Sequence, residues 1–285
     1  MPFMERKDIL ERLRLQMKTA PLLGCGAGTG ISAKFIEKGG ADIIIIYNSG
    51  RYRMAGRGSA AGLLSYGDAN AIVVEMAGEV LPVVRNTPVL AGVCGTDPFR
   101  IMKVFLKQLR EIGFDGVQNF PTVGVIDGTF RQSLEETGMS YSLEVDMIKT
   151  AHQMDFLTCP YVFNNDEAAA MTRAGADIIV AHMGTTNKGS IGASTTISLD
   201  EAAGRVQSIH DAAKKIRKDV IVICHGGPIA EPSDAQYIFD HTAGIAGFFG
   251  ASSVERLSVE VAIEATTRRF KELNLTKGKR SNAKK

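Results

Sequence analysis

The sequence predicts an α/β fold, a single (β/α)8 barrel with an N-terminal capping helix, on three observations. Eight short apolar runs recur about every 25 to 40 residues, with helix-like segments between them. The runs are continuous rather than alternating in polarity, so both faces of each strand must be covered, as in a parallel sheet surrounded by helices. The length of 285 residues suits one barrel, which typically occupies about 250.

The eight predicted strands follow one another at similar spacing. They are PLLGCG, ADIIIIYN, PVLAGVCG, DGVQNFP, FLTCPYVF, ADIIVAHMG, VIVICHGG and IAGFFGAS. A leading helix over Glu5 to Lys18 is predicted to cap the barrel. The segments ISAKFIEKGGADIIIIYN and DEAAAMTRAGADIIVAHM share one helix, turn and strand pattern, which supports a repeated unit. We predict a barrel domain over residues 1–275 and a basic tail over residues 276–285.

The glycine-rich stretch from Gly24 to Gly30 raises an alternative, a dinucleotide-binding Rossmann domain. That fingerprint requires GxGxxG and an acidic residue at the end of the second strand, which holds the ribose hydroxyls. Here the glycines fit GxGxG better, and the second strand ends in Tyr47 and Asn48. The barrel is therefore the preferred fold.

Composition and charge indicate a cytoplasmic globular protein. The formal charge is only +2, and the basic excess lies in the tail KGKRSNAKK, which argues against nucleic-acid binding. No run approaches the roughly 18 apolar residues of a membrane span, and charges occupy the N-terminus where a signal peptide would be apolar. The four cysteines lack a CxxC spacing and are expected to be reduced.

Active sites of such barrels are built at the carboxyl ends of the strands. There His182 and His225 end the sixth and seventh predicted strands. Two imidazoles at one mouth can bind a metal, polarise a carbonyl or move a proton, whereas the alternative is that each only bonds a backbone carbonyl. We predict His182, His225 and Asn48 as catalytic residues, with Asn48 orienting a carboxylate or carbonyl.

The loops HGGPI and GFFGASSVER, after the last two strands, resemble the phosphate site found in many barrels. The backbone of Gly226, Gly227 and Gly250 and the Ser252 hydroxyl would hold an anion. The alternative is that the glycines only form tight turns, and that Ser252 and Glu255 form the capping box of the last helix.

Other strand-end residues complete the predicted substrate-binding or anion-binding set: Gly24, Cys25, Ser49, Arg51 and Asn119. The long connection NSGRYRMAGRGS carries Arg51, Arg53 and Arg57, which would contact either an anionic substrate or solvent and a subunit interface. Cys25 is either a nucleophile in a glycine turn or a buried strand cysteine. The insertion from Phe120 to Ser140 is predicted to be a lid, and no DxD or ExxH pattern identifies metal ligands.

The motifs GCGAGTGISAK, IIIYNSGRYRMAGRGS, NFPTVGVIDGTFR, AHMGTT and CHGGPIAEP resemble the phosphoenolpyruvate hydrolase-like TIM-barrel family. Members have been described as phosphonopyruvate hydrolases, and a similar barrel forms the C-terminal half of a plant tobamovirus-resistance protein. The resemblance covers Arg6 to Leu273. It implies a small phosphorylated or phosphonylated keto acid as substrate and Mg²⁺ as cofactor.

Two functions follow as hypotheses. The first is a hydrolase acting on phosphonopyruvate or phosphoenolpyruvate at the mouth of the barrel. The second is a non-catalytic, ligand-binding barrel that works with a nucleotide-binding partner domain, as the fused plant relatives suggest. In either case we expect a homo-oligomer that binds a small anion and does not enter a membrane.

Overall fold

The predicted apolar runs form the strands of a closed parallel barrel in the computed structural model, which describes residues 4–274. The strand segments are β1 Leu22–Gly26, β2 Ile43–Ile46, β3 Val89–Gly92, β4 Gly116–Gln118, β5 Leu157–Thr158, β6 Tyr161–Val162, β7 Ile178–His182, β8 Ile221–His225 and β9 Gly247–Gly250. Their order is β5-β4-β3-β2-β1-β9-β8-β7-β6. Since β5 and β6 are consecutive parts of one chain segment, the order closes into a barrel of eight strand positions.

Helices alternate with the strands as predicted. They are α1 Arg6–Gln16, α2 Gly30–Lys38, α3 Asn48–Met54, α4 Ala69–Val80, α5 Met102–Ile112, α6 Gly128–Glu136, α7 Tyr141–Gln153, α8 Asn165–Arg173, α9 Leu199–Ile216, α10 Pro232–Asp240 and α11 Leu257–Lys271. Short 3₁₀ turns lie at Ser59–Leu63, Leu81–Val83 and Val123–Val125, and a π-helical turn at Ser252–Arg256 leads into α11. Within residues 4–274, no helix is long and apolar enough to cross a membrane.

The barrel has a seam where β5 passes into β6, because side chains at the end of β4 replace the backbone ladder that would pair β4 with β6. Pro160 has no N–H to donate there. The Asn119 side chain bridges the gap, because its Oδ1 accepts from the Tyr161 N–H at 2.7 Å and its Nδ2 donates to the Tyr161 carbonyl at 3.3 Å. Gln118 Nε2 likewise donates to the Cys159 carbonyl at 3.0 Å. Two amide side chains thus join β4 to the chain segment that continues into β6.

Helix α1 caps the end of the barrel opposite the mouth, which confirms the predicted capping helix. Ile9 and Leu13 on its inner face are buried in the core. Arg6 Nη1 lies 3.1 Å from Asp177 Oδ1, and Asp177 comes just before β7. Helix α1 therefore covers the core at the amino-terminal ends of the strands.

Two segments differ from their predicted loop character. The connection after β2 contains α3, which packs closely on the loop after β1: a Cβ on Gly28 would lie 2.2 Å from the Gly50 carbonyl oxygen. The predicted lid contains α6, which Arg131 fastens through its Nη1 to the Val123 carbonyl at 2.9 Å and its Nη2 to Glu167 at 3.1 Å. The predicted basic tail over 276–285 lies outside the described residues.

Candidate active site

A cavity of about 40 Å³ lies at the carboxyl ends of the strands. Side chains and backbone from six strand ends and their loops line it: Tyr47, Ser49, Ser59, Ala60, Leu63, Phe120, Val125, Tyr161, His182, Gly184, Thr185, Thr186, His225, Ala251 and Ser252. This volume holds a few water molecules. Hydroxyl groups and imidazoles supply most of its polar atoms.

The two predicted histidines meet in this cavity. His182 and His225 are paired across β7 and β8, and their rings are 4.6 Å apart, edge to face. Tyr161 stacks on His225 at 5.2 Å and meets the edge of His182 at 4.8 Å. Strand register and aromatic packing therefore fix both imidazoles.

Hydrogen bonds give the two imidazoles opposite roles. His225 Nδ1 lies 2.7 Å from the Phe249 carbonyl oxygen, so Nδ1 carries the proton and Nε2 keeps a free lone pair. His182 Nδ1 accepts from the Gly184 N–H at 3.0 Å, so in the neutral ring the proton is on Nε2. One ring can accept a proton, and the other can donate a hydrogen bond.

Both rings are neutral at pH 7. Burial lowers the pKa of His225 from 6.5 to about 4, and the positive Arg53 lowers it too, against the effect of the bond to Phe249. Burial, followed by the neighbouring His225, holds the pKa of His182 well below 6.5. An anion in the cavity would favour the charged form and raise both pKa values.

A buried ion pair lies behind the cavity. Arg53 and Glu255 have side chains 0% and 1% exposed, and Arg53 Nη2 is 2.6 Å from Glu255 Oε2. Glu255 Oε1 also accepts from the Gly28 N–H at 2.7 Å. The Arg53 guanidinium lies 5.7 Å from the Tyr47 ring, and Tyr47 lines the cavity. The network joins α3, the loop after β1 and the turn before α11.

The glycines after the histidines have a packing role. Gly226 and Gly227 have φ values of +75° and +59°. A Cβ on Gly226 would lie 2.3 Å from the Gly184 carbonyl oxygen, and the Gly227 N–H donates to that oxygen at 2.8 Å. The Gly227 amide is therefore not free for an anion, which corrects that part of the predicted phosphate site.

Several predicted residues lie outside the cavity. Arg51 pairs with Glu75 at 2.7 Å on the surface, while the neighbouring Arg53 is buried. Cys25 is 1% exposed and faces the layer between β1 and α2, where burial raises the pKa of its thiol to about 12, which disfavours a thiolate. Asn48 Nδ2 donates to the Gly62 carbonyl at 2.9 Å and so anchors the Ser59–Leu63 turn.

Two further predicted site residues make contacts within the barrel wall. Asn119 forms the barrel seam and donates to the buried Glu144 at 2.7 Å. Gly24 makes room for Phe249, since a Cβ there would lie 2.7 Å from the Phe249 ring.

Of the predicted phosphate loops, Ser252 reaches the cavity. Its Oγ is 3.3 Å from Ser59 Oγ, and Ser49 lines the same cavity. Gly250 packs against Val254, the residue nearest to a Cβ built on it. The expected capping box is wrong, because Ala251 is the N-cap and Glu255 pairs with Arg53 instead.

The donor set does not match a magnesium site. Mg²⁺ prefers carboxylate oxygens, and no carboxylate lines the cavity. Among residues 4–274, no group of three or more histidine, cysteine or acidic side chains could hold a metal ion. The buried acids Glu255 and Glu144 are already engaged, Glu255 by Arg53 and Glu144 by Asn119 and Thr122.

The profile of the phosphoenolpyruvate hydrolase-like family matches residues 8–273. The chain belongs to this family. It is 63% identical over 272 residues to the ToMV susceptible protein tm-1(GCR26) and 62% identical to the ToMV resistance protein Tm-1(GCR237), both of Solanum lycopersicum. Each alignment covers 95% of this chain and 36% of the tomato protein. The y4pA protein of Sinorhizobium fredii is 33% identical over 273 residues, which is 95% of this chain and 44% of that protein.

Solved structures show the same fold at low sequence identity. Oxaloacetate acetylhydrolase aligns with a TM-score of 0.62 and 14% identity, over 96% of this chain and 90% of that one. Phosphonopyruvate hydrolase in complex with oxalate and Mg²⁺ gives 0.58 and 15%, over 94% and 88%. The predicted (β/α)8 barrel and the predicted family are thus confirmed.

Proposed function

We propose that the chain is an enzyme, a hydrolase or lyase, that acts on a small keto acid anion of the phosphonopyruvate or phosphoenolpyruvate type. The observation that carries this proposal is the pair of neutral imidazoles in one cavity, of which His225 presents an Nε2 that can accept a proton and His182 an Nε2–H that can donate a hydrogen bond. Membership of the family and the oxalate complex of phosphonopyruvate hydrolase support the substrate class. The cytoplasmic location stays a prediction.

The geometry supports a general base and an oxyanion donor. His225 Nε2 takes a proton from water, and the resulting hydroxide attacks phosphorus of phosphonopyruvate. The carbon–phosphorus bond breaks, its electron pair passes into the pyruvate enolate, and the His182 Nε2–H donates to the enolate oxygen. Protonated His225 then returns its proton to the enolate carbon, which yields pyruvate and phosphate.

Hydroxyl groups would hold the anion, and the substrate needs more room than the cavity now offers. Ser49, Ser59 and Ser252 surround one side, and the charge of Arg53 lies behind Tyr47. Since about 40 Å³ holds only a few waters, the loops that carry Ser59 and Thr185 must separate when a keto acid enters. Mg²⁺ has no matching donor set, so no step runs through it.

The test is product release from phosphonopyruvate, phosphoenolpyruvate and oxaloacetate, each with and without Mg²⁺, followed by NMR against protein-free blanks. His225→Asn is the decisive variant, because its amide can still donate to the Phe249 carbonyl while Nε2 is lost. We expect turnover to fall by about 10² to 10⁴-fold. His182→Gln keeps a donor near the Nε2 position and should be less impaired.

Equal turnover in wild type and His225→Asn would refute the assigned base. If no substrate is turned over and oxalate does not shift the melting temperature of the folded protein, the enzyme proposal fails.

A second candidate is a ligand-binding barrel that works with a nucleotide-binding partner domain. It is favoured by one observation: the chain spans only 36% of each tomato relative, so those proteins join the barrel to further sequence. Oxalate binding without turnover of any of the three acids would favour this function.

A further inference from the structure

Two buried donors beside the cavity have no hydrogen-bond partner. Tyr161 Oη and Arg53 Nη1 are both buried, and neither is hydrogen-bonded to another group of residues 4–274. The two residues are 1% and 2% exposed. Buried polar groups are normally paired, so an unpaired donor at a functional site requires an explanation. Tyr161 lines the cavity and contacts both imidazole rings, and a ligand bound there can supply the acceptor that the protein does not.

Tyr47 connects these two donors. Its ring lies 5.7 Å from the Arg53 guanidinium, and it is close enough to Arg53 and Tyr161 for each to influence the pKa of its hydroxyl. Gly26 makes room for this hydroxyl, since a Cβ on Gly26 would lie 2.8 Å from Tyr47 Oη. Tyr47 also lines the cavity. Arg53, Tyr47 and Tyr161 therefore form a row that leads from the buried ion pair to the cavity.

Both phenols of this row carry their protons at pH 7. Burial raises the pKa of Tyr47, although the positive Arg53 lowers it in part. Burial also holds the pKa of Tyr161 well above its usual range. A neutral phenol can donate a hydrogen bond as well as accept one. The row thus ends at the cavity in a group that can donate to an anion.

The charge of Arg53 sets the direction of the donors in the row. A guanidinium has donors and no acceptor, so the Tyr47 oxygen faces it with a lone pair and the Tyr47 proton is directed away. The neighbouring hydroxyl is that of Tyr161, whose own proton is then available to another acceptor. A charge at one end polarises such a chain of dipoles, and this strengthens the hydrogen bond at the other end.

We propose that the Tyr161 hydroxyl binds the carboxylate of the ligand, and that Tyr47 orients this hydroxyl and transmits to it the charge of Arg53. This role rests on the proposed function and assigns one end of the keto acid to a single side chain. Tyr161 is a binding residue, whereas Tyr47 and Arg53 are positioning residues. The serine hydroxyls of the cavity are left for the other end of the ligand.

The charge of the row favours a carboxylate over a phosphate group. Among the described residues, no lysine or arginine lines the cavity, and the charge of Arg53 is balanced by Glu255 at 2.6 Å. A polarised neutral donor suits a group with one negative charge. A phosphate dianion is instead bound by arginine, lysine or several backbone N–H groups. We therefore expect oxalate and pyruvate to bind more tightly than inorganic phosphate.

The experiment is calorimetric titration of the full chain with oxalate, pyruvate and inorganic phosphate. Tyr161→Phe is the decisive variant, because it keeps the ring that stacks on His225 and removes the hydroxyl. It should raise the dissociation constant for oxalate by about 10 to 100-fold, the range expected for a lost hydrogen bond to a charged group. Since this hydroxyl has no partner among residues 4–274, the melting temperature without ligand should stay the same or rise.

Tyr141→Phe is the matched control. Tyr141 is also a buried tyrosine, but its hydroxyl donates to the Tyr161 carbonyl at 2.7 Å. Loss of this bond should lower the melting temperature and leave the affinity for oxalate unchanged. The two variants should therefore show opposite patterns of stability and affinity.

Tyr47→Phe tests the positioning role. It should weaken oxalate binding in the wild-type background and have little effect in the Tyr161→Phe background, because it acts through the Tyr161 hydroxyl. A double-mutant cycle measures this non-additivity. Additive losses would show that Tyr47 does not act through Tyr161.

Four results separate this carboxylate site from the hydrolase. Equal oxalate affinity in wild type and Tyr161→Phe overturns the carboxylate site, and turnover by wild type would then leave the enzyme function intact. A fall in melting temperature as large as that of Tyr141→Phe also overturns it, because the hydroxyl would be bonded within the protein. Oxalate binding that Tyr161→Phe weakens, without turnover of any acid, supports the carboxylate site and refutes the hydrolase. A folded wild type that binds none of the three probes overturns both.

Discussion

Replacement of Glu255 by glutamine tests whether the buried ion pair holds the site together. The new side-chain amide can still accept from the Gly28 N–H, but it leaves the guanidinium of Arg53, 0% exposed, without its counter-charge. Removing one partner of a buried ion pair typically costs about 3 to 5 kcal/mol, because the remaining charge is desolvated and unpaired. For a chain of 285 residues we expect the melting temperature to fall by roughly 5 to 8 °C.

Glu264→Gln is the matched control. Glu264 also pairs with an arginine, Arg268 at 2.6 Å, but the two side chains are 66% and 73% exposed, so the loss should be below about 1 kcal/mol. The double variant Arg53→Met with Glu255→Gln should recover part of the stability lost in the single variant, because no charge stays buried. Urea unfolding measures all of these values. A loss in Glu255→Gln no larger than in Glu264→Gln would refute the reasoning.

Three further predictions concern the seam, the histidines and the metal. Asn119→Leu should lower the free energy of unfolding by about 2 to 4 kcal/mol, because the Tyr161 N–H loses its acceptor and the buried Glu144 loses one of its donors, while the Tyr161 carbonyl keeps the Tyr141 hydroxyl. A loss below about 1 kcal/mol in urea unfolding would contradict the role of Asn119 at the seam. Folded His225 has a pKa of about 4, which is below the value of about 6.5 in the unfolded chain. As the pH falls from about 6.5 to 4, the unfolded chain therefore binds a proton at this residue and the folded chain does not. The free energy of unfolding should fall by about 3 kcal/mol over that range. His225→Asn should show a shallower loss over the same range, and an identical pH profile would contradict the shifted pKa. Finally, Mg²⁺ alone should leave the melting temperature unchanged in a thermal scan, whereas a rise would reveal a metal site that the donor set of residues 4–274 does not indicate.

The fold could be predicted from the sequence because its signal is local. Each strand of a barrel surrounded by helices is apolar on both faces, and the run Ile43–Ile46, fully buried in the structure, shows this pattern directly. The strand ends then located His182 and His225 at the mouth. The split of the fifth strand was less visible, since only Pro160 signals it.

The network around the buried Arg53–Glu255 ion pair could not be predicted, because its members are far apart in the chain. Arg53 and Glu255 are separated by 202 residues. The local sequence around each residue also suggests a more common role: Arg53 lies in a polar, glycine-spaced segment typical of a solvent-exposed loop, and Glu255 has the spacing of a capping box. For the same reason the prediction chose Arg51 for the site and not Arg53, since the partner that buries Arg53 is distant in the sequence. Whether an arginine of a short helix points inward depends on a counter-charge that no local pattern identifies.

The seam also changes which substitutions the barrel can accept. Along an ordinary strand the ladder is made by backbone groups, so most side chains of suitable size and polarity can be exchanged without breaking it. At the seam the connection from β4 to β6 is made by the amides of Gln118 and Asn119, which combine a donor and an acceptor on one planar group. The backbone still joins β4 to Cys159 and Pro160 to β7, so a substitution at either amide would weaken one joint and leave the ladders beside it in place. At this joint the pairing of two strands depends on which side chains the sequence supplies.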